Sequence, residues 1–294
     1  MTLSVVISAF NEEKKIEDCL KSASFADEII FVDNTSSDKT LEIAKNFTDK
    51  TFVRENNLML NVNKNFGFSK ASGDWIISLD ADERISPSLA KEIRFVIKNS
   101  KEINGYWIPR KNIAFGKWII HAGWYPDYQL RLFKRGKGRF EEKHVHEMIS
   151  LTGKSEKLNN HLVHYNYESI FQFLSKMVNI YTPNEAENLY KKGVRVRPYD
   201  AINYPLKEFL TRYFSLEGYK DGLHGLILSF FMSFYHFIVF ALLWEKQGFK
   251  KQSLSLEQTE KEFKKSAKEI SYWIKREKMK NANLFNKFFL KLKR

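Results

Sequence analysis

The chain has 294 residues, 43% of them hydrophobic, which suits one large domain or two modest ones and excludes a wholly disordered chain. Its formal charge of +13 is uneven: residues 246–294 carry 15 Lys/Arg against 5 Asp/Glu, and the first 245 residues carry 33 against 30. That basic tail leaves nucleic acid and anionic membrane open as partners, while a single cysteine, Cys19, excludes an intramolecular disulfide and a cysteine-based zinc site and fits a reducing compartment.

Leu3–Ser8 is short, apolar and rich in β-branched residues, which predicts a buried strand. It lacks the basic lead and small-residue cleavage site of a signal peptide, so none is expected. Ile16, Cys19, Leu20 and Ala23 fall at helical spacing, and Cys19 is expected to be a packing residue. Glu28–Val32 predicts a second strand ending at Asp33. Ser37–Thr40 opens a second helix through Ile43, Ala44 and Phe47. Thr51–Val53 predicts a third strand, Asn63–Ala71 a helix stopped by Gly73, and Trp75–Leu79 a fourth strand ending in Asp80-Ala81-Asp82-Glu83. Ser86 is the expected N-cap of a helix with Pro87 in its first turn, running to about Asn99. Gly105–Pro109 predicts a fifth strand.

Strands alternating with helices predict an α/β fold with a mostly parallel sheet covered on both faces. Ligands bind at the carboxyl ends of such strands, so Asp33 and the Asp80–Glu83 cluster are expected to face one crevice. After residue 110 the pattern loosens. Trp118, Trp124, Tyr125 and Tyr128 crowd a loop-rich stretch, Gln129–Lys134 is strand-like, and Gly136 and Gly138 mark a turn. From Ser169 the chain reads helical to its end, with breaks expected near Pro198 and Pro205.

No Gly-x-Gly-x-x-Gly or Gly-Lys-Ser/Thr loop follows the first strand, which argues against dinucleotide oxidoreductases and P-loop ATPases. A phosphate is instead offered carboxylates. Asp80 and Asp82, two apart on an extended segment, can place one group on a sugar hydroxyl and the other on Mg²⁺ or Mn²⁺, which take hard oxygen ligands. The plainer reading is a solvated acidic turn.

The sequence resembles family 2 nucleotide-sugar glycosyltransferases of the GT-A type. The resemblance rests on Val5-Val6-Ile7-Ser8 with Asn11-Glu12-Glu13, on Val32-Asp33-Asn34 with Ser36, Asp38 and Thr40, on Asn65-x-Gly67, on Ala71-x-Gly73-Asp74-Trp75, and on Leu79-Asp80-Ala81-Asp82-Glu83. A looser similarity, through Arg131-Leu132-Phe133 and Val145-His146-Glu147, points to the bacterial lipopolysaccharide-core β-glucosyltransferase branch. The resemblance implies a GT-A Rossmann-like domain over 1–168 and a helical region over 169–294. It also implies that Ser8, Ala9 and Glu12 line the nucleotide pocket and that Asp33 holds the base or ribose, usually of a uridine nucleotide. Asp80 would touch the ribose or donor sugar, and Asp82 would hold the metal on the diphosphate. Such enzymes invert the anomeric centre, with a carboxylate deprotonating the acceptor hydroxyl. Glu147 is the preferred base, with His144 and His146 placed to orient it, and Asp127 is the second choice. Arg131 could pair with the diphosphate or form a strand ion pair. His164 could be a further metal ligand or a structural histidine. Trp118, Trp124 and Tyr125 could form an acceptor platform or pack in a core.

Leu223–Trp244 is 22 residues without Lys, Arg, Asp or Glu, long enough to cross a bilayer. Gly222, Gly225, Ser229, Ser233 and His236 nonetheless form one small, polar stripe, which suits packing on another helix. A catalytic part using cytosolic nucleotide sugars and a basic tail both belong on the cytosolic side. A helix lying in the interface, or a re-entrant hairpin with Tyr204–Tyr219, is therefore favoured over one span; a buried dimer helix is the alternative. The tail, 253–294, is basic and amphipathic, as membrane-surface helices are, and shows no nucleic-acid-binding module. The expectation is a metal-dependent inverting hexosyltransferase on the inner face of the cytoplasmic membrane. It would use a nucleotide-diphosphate sugar and a glycolipid or lipopolysaccharide-core acceptor. Another polysaccharide or protein acceptor, a two-carboxylate glycoside hydrolase, or a non-catalytic membrane scaffold are the alternatives.

Overall fold

The computed structural model describes residues 1–56, 60–142 and 147–281. In chain order the elements are β1 (Leu3–Ala9), α1 (Ile16–Ala23), β2 (Glu28–Asp33), α2 (Thr40–Lys45), β3 (Thr51–Val53), α3 (Leu60–Lys70), β4 (Trp75–Asp80), β5 (Glu83–Ile85), α4 (Pro87–Asn99), β6 (Ile103–Ala114), β7 (Lys117–Trp118), β8 (Asp127–Lys134), β9 (Gly138–Arg139), β10 (Ser150–Leu151), β11 (Lys154–Lys157), β12 (Leu162–Tyr167), α5 (Ile170–Lys176), α6 (Thr182–Lys191), α7 (Asp200–Leu210), α8 (Leu223–Lys246) and α9 (Leu256–Asn281). Short π-helical turns extend α5 over Met177–Tyr181 and α7 over Thr211–Ser215, and a 3₁₀ turn covers Gly218–Asp221. Two compact units result. The first is 1–113 with 125–166, the second 114–124 with 167–294; residues 114–124, expected in the first domain, thus belong to the second unit.

In the first unit the sheet order is β3-β2-β1-β4-β8-β6-β12-β5. β1, β2, β3 and β4 pair in parallel, while β8 runs antiparallel to both β4 and β6. The fold is the expected α/β architecture with an antiparallel extension. Strand alternation explains its two cores. Leu3, Val5, Ile7, Ile77 and Leu79 face one side with Ile16 and Leu20 of α1 and Leu89, Ile93 and Ile97 of α4. Val6, Ile30, Val32 and Ile76 face the other with Phe68 and Phe133. A Cβ on Gly67 would stand 2.4 Å from a Val6 methyl, so the glycine lets α3 lie directly on β1. Ser86 caps α4 by accepting from the Leu89 amide at 3.2 Å, with Pro87 at the first turn, as its sequence predicts.

In the second unit α8 packs along α6 and α7. The chain breaks at 192–199, around Pro198, but Pro205 lies inside α7 and does not end it. A proline in that place frees a carbonyl in the preceding turn and leaves the helix able to continue if its neighbours compensate. Separately, Ser233 of α8 donates to the carbonyl of Pro205 itself at 2.7 Å, tying the two helices together at that point.

Candidate active site

Register brings the carboxylates together. Ala9 pairs with Asp33 and Ser8 with Asp80, so both acids close the same end of the parallel strands. The loops that follow β1 and β2 brace each other. Ser36 Oγ accepts from the Asn11 amide at 3.0 Å, Asn11 Oδ1 from the Ser37 amide at 2.8 Å, and Thr40 Oγ1 from the Glu12 amide at 2.8 Å. These polar residues fix the loop frame around Ser8, Ala9 and Glu12.

Asp33 is 1% exposed. Its Oδ2 accepts from the Ser36 amide at 2.9 Å, and its Oδ1 is buried with no hydrogen-bond partner among the described residues. A buried carboxylate oxygen without a donor is costly unless a ligand supplies one. Beside it, Asn34 Oδ1 accepts from Ser8 Oγ at 3.2 Å and from Asn63 Nδ2 at 2.7 Å.

Asp80 is held from two sides. Lys64 Nζ of α3 lies 2.5 Å from Oδ1, and Arg131 Nη2 of β8 lies 2.5 Å from Oδ2. Burial works to raise its pKa, but the Arg131 and Lys64 cations outweigh it and hold the carboxyl well below the usual range. Arg131 also donates to Glu83 Oε1 at 2.8 Å, and Glu83 Oε2 accepts the Asp80 amide at 3.0 Å. Glu83 is fully buried. Arg131 is thus engaged by two carboxylates, the ion-pair arrangement that was one of its two sequence readings.

The strands extend this network. Alternation puts Asp127, Gln129 and Arg131 on one face of β8. Arg110, opposite Asp127 in the register, donates to Asp127 Oδ2 through Nε at 2.8 Å and Nη2 at 2.5 Å. Asn112 and Gln129 complete the shell at 3.2 and 2.9 Å. Burial opposes ionisation of Asp127, but Arg110 and these amides keep its pKa low. His164 stands opposite Glu83. Its Nδ1 lies 2.7 Å from Asn112 Oδ1, and its Nε2 lies 3.5 Å from Asp82 Oδ2.

Asp82 and His164 therefore meet, as a shared metal would require. Two cis ligands at the ~2.1 Å usual for Mg²⁺ stand ~3.0 Å apart, so the observed separation fits after a shift of a few tenths of an ångström. No cluster of three or more His, Cys, Asp and Glu able to hold a metal occurs among the described residues.

Glu147 Oε2 accepts from the Glu142 amide at 2.7 Å. That segment hangs on α3, because Asn65 Nδ2 donates to the Phe140 carbonyl and to Glu142 Oε1 at 2.9 and 2.7 Å. Asn65, Phe68 and residues 138–142 line an open cleft of ≈ 390 Å³. Lys64, next along α3 and paired with Asp80, has its Nζ 5.6 Å from the Phe140 ring, which puts the cleft beside the carboxylates. His144 and His146 lie outside the described residues. Cys19 is buried, its thiol donating to the Asp80 carbonyl at 3.4 Å, and burial pushes its pKa up; it packs, as expected. Trp124 packs edge-on against Tyr167 in the second unit, and Tyr125 against His161 in the first. Sequence reasoning gave no role to Lys64, Glu83, Arg110 or Asn112. Glu83 stood inside the quoted acidic motif, but the other three carry no local signal and are found only through strand pairing.

Residues 4–152 match Glycosyl transferase family 2. The lipopolysaccharide core biosynthesis glycosyltransferase LpsC of Rhizobium meliloti is 28% identical over 261 residues, covering 85% of this chain and 94% of that protein. An uncharacterised glycosyltransferase of Rickettsia typhi is 28% identical over 255 residues, covering 83% and 87%. Among solved structures, the mannosyltransferase PcManGT of Pyrobaculum calidifontis, in complex with GDP-Man and Mn²⁺, has 14% identity, a TM-score of 0.48 and coverage of 83% of this chain and 88% of that one. Residues 1–349 of Staphylococcus aureus TarS with UDP-GlcNAc have 14% identity, a TM-score of 0.45 and coverage of 87% and 94%. The family match spans half the chain and contains both acidic strand ends: the protein belongs to glycosyl transferase family 2.

Proposed function

We propose that the protein is an inverting hexosyltransferase. It moves a sugar from a nucleotide diphosphate, a uridine nucleotide favoured, to a hydroxyl of a lipopolysaccharide-core or related glycolipid acceptor. The observation that carries this reading is the meeting of three features at one end of the parallel strands: Asp33 with its donor-free oxygen, Asp80 fixed between two cations, and Asp82 against His164.

Each residue then has a task. Asp33 Oδ1 accepts from the base or ribose, satisfying its buried oxygen, with Ser8, Ala9 and Glu12 forming the wall of the nucleotide pocket. Asp80 stays ionised and accepts from a ribose or sugar hydroxyl. Asp82 and His164 hold Mg²⁺ or Mn²⁺, which when bound neutralises charge on the departing diphosphate. Arg131 is a positioning residue, since its guanidinium fixes Asp80 and Glu83.

The base takes the acceptor proton as the acceptor oxygen attacks the anomeric carbon from the face opposite the diphosphate. Glu147 suits this role because its carboxylate accepts from the amide of Glu142, a residue that lines the open cleft. Asp127 suits it less well because Arg110, Asn112 and Gln129 surround its carboxylate. The name of the Rhizobium relative supports a core-oligosaccharide acceptor, and a lipid-linked acceptor places the enzyme at the inner face of the cytoplasmic membrane. Purified protein should release nucleoside diphosphate from one member of a nucleotide-sugar panel when Mn²⁺ or Mg²⁺ is present. A panel that yields neither binding nor release with either metal would sink the proposal.

A further inference from the structure

The second unit has an apolar face that its own packing leaves outward. In α8 the small, polar stripe points inward to the helix before it. A Cβ on Gly225 would stand 1.8 Å from the Gly218 carbonyl oxygen, Ser233 donates to the Pro205 carbonyl, and His236 Nε2 lies 3.7 Å from Glu208 Oε2. At ~100° per residue, Leu223, Phe230, Phe234, Phe237 and Trp244 fall within an arc of about 80°, centred roughly a quarter turn round the helix from that stripe. All five are exposed, Phe230 at 56% and Phe234 at 48%. Contiguous exposed aromatic surface of this kind marks a binding face.

Charge identifies what covers it. Phe230 packs against Phe209 of α7 with the rings tilted and their centroids 4.5 Å apart; Phe209, Tyr213 and Phe214 continue the row, and Phe214 stacks on Trp273 of α9 at 6.4 Å. The row leads from the apolar face to a cationic helix. Residues 256–281 carry 8 Lys/Arg against 5 Asp/Glu, and Lys246, Lys250 and Lys251 precede them. An apolar, aromatic band bordered by cations complements anionic headgroups over hydrocarbon. A second copy would set cation against cation across a two-fold axis. Crossing the bilayer is disfavoured by the neighbours of α8: Tyr235 donates to Glu185, His236 faces Glu208, and Lys246 pairs with Glu187. A span would carry these charges into hydrocarbon.

We propose that the outward face of α8 docks the protein on an anionic phospholipid bilayer, with the helix lying in the plane of the interface. This rests on the membrane-face reading above, and its test needs no turnover, so its failure is distinguishable from failure of glycosyl transfer.

Full-length protein is floated with phosphatidylglycerol-rich and with phosphatidylcholine vesicles. The wild type should float with the anionic vesicles. The triple variant F230Q/F234Q/F237Q should lose at least tenfold in vesicle affinity while keeping its circular dichroism and nucleotide binding. Absence of wild-type flotation, or flotation of the triple variant like the wild type, overturns the proposal. So does a concentration-dependent dimer that the triple variant abolishes without any vesicle binding. For orientation, K220C and K250C are labelled with an impermeant maleimide after docking on preformed vesicles. Both should label; protection of one alone means a span and contradicts the in-plane placement.

Discussion

Glu83→Gln tests the buried network that sets the geometry of Asp80. Lys64, Arg110 and Arg131 face Asp80, Glu83 and Asp127, three cations against three anions. Glu83 is the central member and is fully buried. Glutamine keeps the volume and an acceptor for the Asp80 amide, but it removes one negative charge and turns an N–H toward a guanidinium. Removing one partner of a buried ion pair costs about 3–5 kcal/mol, and because Arg131 retains Asp80 the lower end, ~3 kcal/mol, is expected. In urea at pH 7 the transition that unfolds the sheet should move to lower denaturant by that equivalent, with little change in slope. Lys64→Met should cost less, since Asp80 still has Arg131. A double-mutant cycle of Glu83→Gln with Arg131→Met should give strong coupling, because the two side chains are in direct contact and the second change removes the cation whose pairing with Glu83 the first breaks. A loss below ~1 kcal/mol for Glu83→Gln, the value of a hydrated surface pair, would refute the argument that these charges act as one desolvated unit.

Glu147→Gln should lower the rate of transfer by ~10²–10⁴ with donor affinity unchanged in calorimetry; an Asp127→Asn variant that does this instead would move the base to Asp127. Asp127→Asn should rather lower the melting temperature, because it leaves Arg110 only its longer, 3.6 Å pairing with Glu83. Gly225→Ala drives a methyl group against the Gly218 carbonyl 1.8 Å away and should destabilise the second unit by at least ~1–3 kcal/mol; an unchanged melting curve would contradict the close helix approach. Burial works against Glu28, but Lys50 and the hydroxyls of Ser4 and Ser72 hold its pKa down to about 2 from 4.5. A lowered carboxylate contributes stability above its unfolded pKa and loses it as pH falls through the folded one. Stability should therefore drop between pH 4.5 and 2, and Glu28→Gln should flatten that slope in acid titrations followed by circular dichroism.

The parallel half of the sheet was readable because its signals are local. Val5-Val6-Ile7 is apolar on both sides, as a strand covered on both faces must be, and Ser86-Pro87 is a helix start by its own chemistry. The expectation that Asp33 and Asp80 face one crevice needed only strand alternation with helices, and the register of β1 with β2 and β4 agrees with it. The antiparallel half was less legible. Pairing of β8 with β4 and of β5 with β12 joins residues some 50 to 80 apart in sequence, so nothing near Arg131 announces that Asp80 and Glu83 will receive its guanidinium. Likewise nothing beside Lys64 announces that it will meet Asp80; that follows only once α3 is laid on β1. Pro205 misled because a proline inside a helix removes one backbone hydrogen bond without having to end the helix. The stripe on α8 was read correctly as a packing face, because small residues at helical spacing imply close approach whichever partner supplies the other surface.

The central claim is that Asp82, with His164, binds a divalent metal through which the donor diphosphate is held. Calorimetric titration of nucleoside diphosphate into the protein, with Mn²⁺ and with chelator, tests it most directly. Tight binding with Mn²⁺, lost with chelator and lost in Asp82→Asn while the variant remains folded, is the predicted result. Binding of equal strength in all three cases would contradict the account.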